Sequence, residues 1–287
     1  MSEFPAREQA VFGVDSADRD SGLSLEHVVK EYPPLGPMRA RRFFSRLGGL
    51  QFDPALADRL ADDEDDDFVD EEEEQEVADR GGIGRKVVDH VSFEVQRGSR
   101  LALVGPSSAG KTVLLKMISG IVAPSEGRIV ARGRVAPALN ILAAAIPKDQ
   151  KLGTALPYIA AVAGLPPGLV RSRLDEISDF MELPQLRTLP TLALDKRRRP
   201  EVLLATMLCL DPDIIVTDIP IALGSFAERC VQRLNELQTR GTILIAEARG
   251  ARGLVPLPDR VLELDRGRII SDRLYDPATE KQRQAAG

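Results

Sequence analysis

Tryptophan is absent from this chain, and aromatic residues make up only 4% of its 287 residues. Cysteine and histidine are almost as scarce, with two of each. Cys209 and Cys230 each sit in an apolar or helix-like stretch. Lone cysteines so placed read as reduced, buried thiols and not as a disulfide framework. His27 and His90 lie far apart, with no cysteine or carboxylate at ligand spacing, so no metal cage is expected. No apolar run approaches the roughly 18 residues that span a bilayer. The start, Met1-Ser2-Glu3-Phe4-Pro5, carries no apolar signal run. Any membrane role is therefore expected from the cytosolic face, through a partner. The net charge of −6 comes mostly from one segment. Bulk charge gives no case for nucleic-acid binding.

Hydrophobic residues, at 43%, are plentiful enough for a sizeable core. Residues 1–22 are polar and read as a disordered tail, and one domain is expected over 23–287. Leu23, Leu25 and Val28 alternate as an edge strand would, and Pro33-Pro34-Leu35-Gly36-Pro37 breaks it. An insertion then occupies 38–85. Its first part is basic and aromatic, with Arg39, Arg41, Arg42, Phe43, Phe44 and Arg46. That composition suits either an amphipathic element against a membrane or partner, or a loop packing two phenylalanines on the domain. Its second part, 62–79, is overwhelmingly acidic. Such a run repels itself and is expected to be a solvated, disordered loop.

Strands are predicted over 87–95 and 100–104, then at 214–218 and 243–246, with a terminal hairpin over 261–270 turning at Arg266-Gly267. A mostly helical stretch fills about 150–200, and helical spacing also follows the second strand from Val113 to a stop at Gly120.

Between that strand and helix lies Gly105-Pro106-Ser107-Ser108-Ala109-Gly110-Lys111-Thr112, a match to the phosphate-binding P-loop. The strand-loop-helix setting is what gives the match its weight. The glycines let the backbone approach a phosphate. The loop amides and helix N-terminus face the anion. Lys111 would reach the β- and γ-phosphates and Thr112 would hold Mg²⁺. Asp218 ends a buried strand, Ile214-Ile215-Val216-Thr217, and would bind Mg²⁺ through water or order Thr112. An α/β P-loop NTPase core follows.

Around these motifs the sequence resembles the ATP-binding subunits of ABC transporters, most of all the capsule and O-antigen polysaccharide exporters. The resemblance rests on Val88 to Gly98, on Ile118-Ser119-Gly120-Ile121-Val122-Ala123-Pro124-Ser125-Glu126-Gly127, and on Gly133-Arg134-Val135. Ala222-Leu223-Gly224 and Leu264-Asp265-Arg266-Gly267-Arg268-Ile269 also carry it. It covers roughly residues 23–275, interrupted by the insertion. It implies a nucleotide-binding domain with a mixed sheet core, an antiparallel β subdomain and a helical subdomain. It further implies ATP and Mg²⁺ as ligands and Tyr32 as the aromatic stacked on adenine, although Tyr32 also fits a plain strand aromatic. The partners implied are a polytopic membrane permease and a second ATP-binding subunit, as homodimer or heterodimer. The location implied is peripheral, on the cytoplasmic face of the inner (plasma) membrane.

The departures from the family pattern are as informative. The glutamate expected after the strand-end aspartate is Ile219, which cannot orient water or accept a proton. Counting along the last parallel strand puts Ala248 at the switch-histidine position. The glycine-rich signature loop is replaced by Leu194-Asp195-Lys196-Arg197-Arg198, and Ser225 stands where an aspartate is expected. Asn140 and Gln150 are the candidates for the Q-loop residue. The expectation is a subunit that binds nucleotide but hydrolyses it poorly. Two alternatives remain at this point. One is an active ATPase in which Glu247 or Glu201 supplies the base, and the other is a P-loop scaffold that signals through its charged segments. The cluster Lys196-Arg197-Arg198-Arg199 fits a solvated patch, a phosphate site or a dock for the acidic loop.

Overall fold

A computed structural model describes residues 21–32, 85–195, 197–221, 224–248 and 257–276. The expectations placed on the N-terminal tail up to residue 20, on the insertion before Arg85, on Lys196 and on Ala222-Leu223 lie outside the described residues.

Two sheets sandwich one helix. The central strands of the larger sheet are short and apolar on both faces, as buried parallel strands must be. These are β3 (Arg100–Val104), β6 (Ile214–Thr217) and β7 (Ile243–Glu247). With β5 (Val135–Ala138), β8 (Arg260–Asp265) and β9 (Arg268–Leu274) they form a six-stranded sheet in the order β5-β6-β7-β3-β8-β9. Only β9 runs antiparallel, against β8. The β8–β9 turn falls at Arg266 and Gly267, with φ of 46° and 79°, the double positive φ of a tight hairpin.

The smaller sheet, ordered β2-β1-β4, is antiparallel throughout. It joins β1 (Ser21–Tyr32), β2 (Arg85–Gln96) and β4 (Glu126–Ala131). Here the structure corrects the sequence reading twice. β1 begins at Ser21, and it is the middle strand, paired on both sides. One-sided alternation looks the same at an edge as in the middle. The partners that decide the matter lie far downstream, at Arg85 and Glu126. β4 and β5 add two strands beyond those the sequence predicts.

Helix α1 (Lys111–Ile118) lies between the sheets. Its Leu114, Leu115, Met117 and Ile118 share one core with Leu25 and Phe93 of the smaller sheet and with Leu103, Val216 and Ile245 of the larger. The opposite face of the larger sheet is covered by helices. These are α2 (Asn140–Ala144), α3 (Leu152–Val162), α4 (Pro167–Met181), α5 (Arg198–Leu208) and α6 (Ser225–Thr239). Cys209 and Cys230 are buried free thiols in that second core, and burial pushes both up to about 12. Among the described residues no helix is long and apolar enough to cross a membrane.

Candidate functional site

The phosphate loop runs from the end of β3 into the first turn of α1. Gly105 and Gly110 have φ of 143° and 89°, conformations that side chains resist. A Cβ on Gly105 would lie 2.1 Å from the Leu264 carbonyl oxygen, and one on Gly110 would lie 2.4 Å from that of Val87. Each glycine is therefore required both by its conformation and by its neighbours. Between them Ser107, Ser108 and Ala109 form a 3₁₀ turn, closed by Ala109 N–H donating to Pro106 O at 3.1 Å. Gly267 of the terminal hairpin holds this turn from outside. Its N–H donates to Ala109 O at 3.1 Å, while its carbonyl accepts from Asp89 N–H of β2 at 2.9 Å.

Lys111 is only 2% exposed. Its ammonium curls back over the loop and donates to Gly105 O at 3.0 Å and Pro106 O at 2.7 Å. It also lies 3.5 Å from Oε1 of Glu247. The other oxygen of that carboxylate, Oε2, accepts from the Thr112 hydroxyl at 3.1 Å. One acid at the end of β7 thus bridges the two P-loop side chains that phosphate chemistry uses.

Asp218 follows β6. Its Oδ1 accepts the backbone N–H of Asn140 at 2.7 Å, and Asn140 Nδ2 donates to the Asp218 carbonyl at 3.4 Å. Burial pushes the Asp218 carboxyl up to about 6; the bond from Asn140 opposes this, and the negative charge of Glu247 adds to the rise. Of the two roles expected of Asp218, direct contact with Thr112 is not made: Glu247 takes that hydroxyl, and Asp218 takes Asn140.

Strand parity explains why these groups converge. Ile243 and Ile245 pack into the α1 core, and Glu247 continues the same alternation. Ile214 and Val216 do likewise ahead of Asp218. Residues of opposite parity face away. Ile219 is 5% exposed and packs in the helical core with Ile215. Ala248 is buried with Ala102 and Val261. At the end of β7, then, the side chain against the P-loop belongs to Glu247. The sequence reading raised Glu247 only as a substitute base, although the Ile243-Ile245-Glu247 alternation could have placed it.

The residues present suit a magnesium ion. The Thr112 hydroxyl and the carboxylates of Asp218 and Glu247 are hard oxygen donors of the kind Mg²⁺ takes. A buried carboxyl that feels a second carboxylate is a pair whose charge a divalent cation would compensate. Among the described residues no three carboxylate, histidine or cysteine side chains gather into a site of their own. A cation here would draw the rest of its shell from phosphate and water.

The other predicted residues lie apart from this cluster. Asp195 Oδ1 accepts the N–H groups of Arg197 at 3.0 Å and Arg198 at 2.7 Å, capping the start of α5. Ser225 is the first residue of α6. Gln150 joins the helical side, its carbonyl accepting from Thr191 N–H and Oγ1, both at 2.9 Å. Glu201 sits on α5, 3.9 Å from Arg198. Tyr32 ends β1, half-buried, with the Lys30 ammonium 5.1 Å from its ring centroid; burial pushes its phenol up.

Residues 88–222 match the ABC transporter family. The O-antigen export system ATP-binding protein RfbB of Klebsiella pneumoniae is 27% identical over 252 residues, covering 86% of this chain and 91% of that protein. The ABC transporter protein AbcA of Aeromonas salmonicida is 26% identical over 182 residues, covering 63% of this chain and 59% of that protein. The solved dimer of the ATP-binding cassette MJ0796 with ADP and Pi superposes with a TM-score of 0.60 at 15% identity, covering 88% of this chain and 98% of that one. The fold is that of an ABC-type ATPase cassette.

Proposed function

We propose that this chain, whose residues 88–222 match the ABC transporter family, is an ATP-binding subunit of a polysaccharide export system that holds ATP and Mg²⁺ but turns ATP over slowly or not at all. The observation that carries this reading is a division of labour around one loop. The residues proposed to bind gather around it: Lys111 is buried over the loop, the Thr112 hydroxyl pairs with Glu247, and Asp218 continues the strand alternation that packs against α1. The position after Asp218, by contrast, is an isoleucine turned into the helical core. Loss of a positioned acid–base group typically costs about 10²–10⁴-fold in rate, whereas binding rests on the loop itself.

Nucleotide binding is assigned to Gly105, Pro106, Ser107, Ser108, Ala109, Gly110, Lys111, Thr112 and Asp218, with Thr112 and Asp218 on the metal and Tyr32 beside the base. Export of a polysaccharide is supported by the name of a relative that covers 86% of the chain. The partners in this reading are a polytopic permease and a second ATP-binding subunit, identical or homologous. The place is the cytoplasmic face of the inner (plasma) membrane. Asp195 adds support for weak turnover, because its carboxylate already occupies the start of α5, where a neighbour's phosphate would need free amides.

A second reading, an active ATPase with Glu247 as base, is favoured by the position of that residue beside the P-loop. It stands second because both carboxylate oxygens are engaged, by Lys111 and Thr112. Equilibrium titration with ATP and a single-turnover assay in Mg²⁺ separate the two. Binding without ordinary turnover is expected. Lys111→Ala should weaken binding about 10- to 100-fold, the worth of a charge-assisted hydrogen bond or two. Ordinary rates that Lys111→Ala abolishes would overturn the proposal.

A further inference from the structure

Glu247 poses a question that nucleotide binding alone does not answer, since the acid expected near the metal is Asp218, and Glu247 is a second one that meets Lys111 and Thr112 directly. Lys111 and Thr112 are the side chains a P-loop offers to the terminal phosphates and to the metal. Glu247 already serves both, with Oε1 toward the ammonium and Oε2 accepting from the hydroxyl. We propose that Glu247 is an internal counter-anion of the phosphate loop that makes triphosphate binding conditional on a divalent cation. The inference rests on the reading of this loop as a nucleotide site.

The argument is one of charge and room. A triphosphate brings its terminal phosphate to the place where the Glu247 carboxylate meets Lys111 and Thr112. Without a metal, two anions then compete for one ammonium and one hydroxyl. The site is largely closed to water, with Lys111 2% and the Glu247 side chain 13% exposed, so the repulsion is poorly screened. A divalent cation changes the sign of the contact, because it accepts oxygens from carboxylate, hydroxyl and phosphate together. The other charges facing Glu247 do not replace it: Asp218 is a second acid, and Lys116 acts on Asp218 from α1. A diphosphate still brings its β-phosphate to Lys111 but lacks the terminal phosphate and its charge, and should respond less to the metal.

Titration calorimetry on the full chain tests this, with ATP or ADP, in MgCl₂ or in EDTA. For the native protein, removing Mg²⁺ should weaken ATP at least about tenfold more than it weakens ADP. Glu247→Gln keeps the size and an acceptor oxygen for Thr112 but removes the charge, and should bring the two nucleotides' metal responses within about threefold of each other. Glu247→Asp keeps the charge and should keep the difference. Glu247→Ala is the second neutral variant, used if the Gln variant loses its cooperative melt. The proposal is overturned if a neutral variant that still binds ADP shows the same extra metal dependence for ATP as the native chain. It is equally overturned if the native chain shows no extra dependence. Absence of any nucleotide binding in the native protein would instead overturn the nucleotide-site reading beneath it.

Discussion

The starts of α1 and α5 are both met by a carboxylate of the same chain, and the two meetings differ in kind. At α5 the acid is local. Asp195 accepts from N–H groups two and three residues on, as a helix requires of its cap whatever its function. At α1 the acid comes from another strand. Glu247 reaches the side chains of Lys111 and Thr112 and leaves the loop amides alone. The helix does not need it. A local carboxylate closes a helix end for good, whereas a distant one occupies a site that a ligand with a metal can share. The two regions also differ in backbone. The loop before α1 relies on two glycines with positive φ, and none of the described residues at the start of α5 has one.

The largest effect that would probe this contrast is at Ile219. If the region after Asp218 lacked only the right residue, Ile219→Glu would restore turnover. Because the side chain points into the helical core, the substitution should instead leave turnover unchanged and cost about 3–5 kcal/mol, the scale of an uncompensated buried charge, measured by urea denaturation. A gain in hydrolysis would erase the distinction between the binding and turnover halves of the site. A smaller loss is expected for Gly110→Ala, at least about 1–3 kcal/mol from strain at positive φ, with weakened ATP binding alongside. The smallest is Asp195→Ala, about 0.5–2 kcal/mol for a lost cap, with ATP affinity unchanged. A changed affinity there would mean that the start of α5 bears on the nucleotide, within the chain or across to a second subunit.

What could be read ahead of the structure was whatever is local. The P-loop announces itself because its glycines, lysine and threonine lie within eight consecutive positions between a strand and a helix. Asp218 was visible as the acid ending an apolar run, and the Arg266-Gly267 turn as a break between two strands. Pairing was not legible in the same way. Nothing within 21–32 says that β1 has a partner on each side, since those partners are separate segments joined to it only in space. The partner of Asp218 was hidden for the same reason. Asn140 stands out in the sequence as a Q-loop candidate, yet its backbone N–H is what the carboxylate uses, and every residue but proline has one. Glu247 lies between these cases. Parity fixes the face it shares with Ile243 and Ile245, but only the placement of β7 beside β3 brings that face to the phosphate loop.

The turn at Gly267 carries one more consequence. By donating to Ala109 and accepting from Asp89 it fastens three distant stretches of chain at a single residue. The closing hairpin is thereby a clasp on the opening motif. Separation of β8 from β9 at this turn would release a bond that holds the 3₁₀ turn of the phosphate loop. The shape of the phosphate loop thus depends on a residue more than 150 positions downstream as well as on its own glycines.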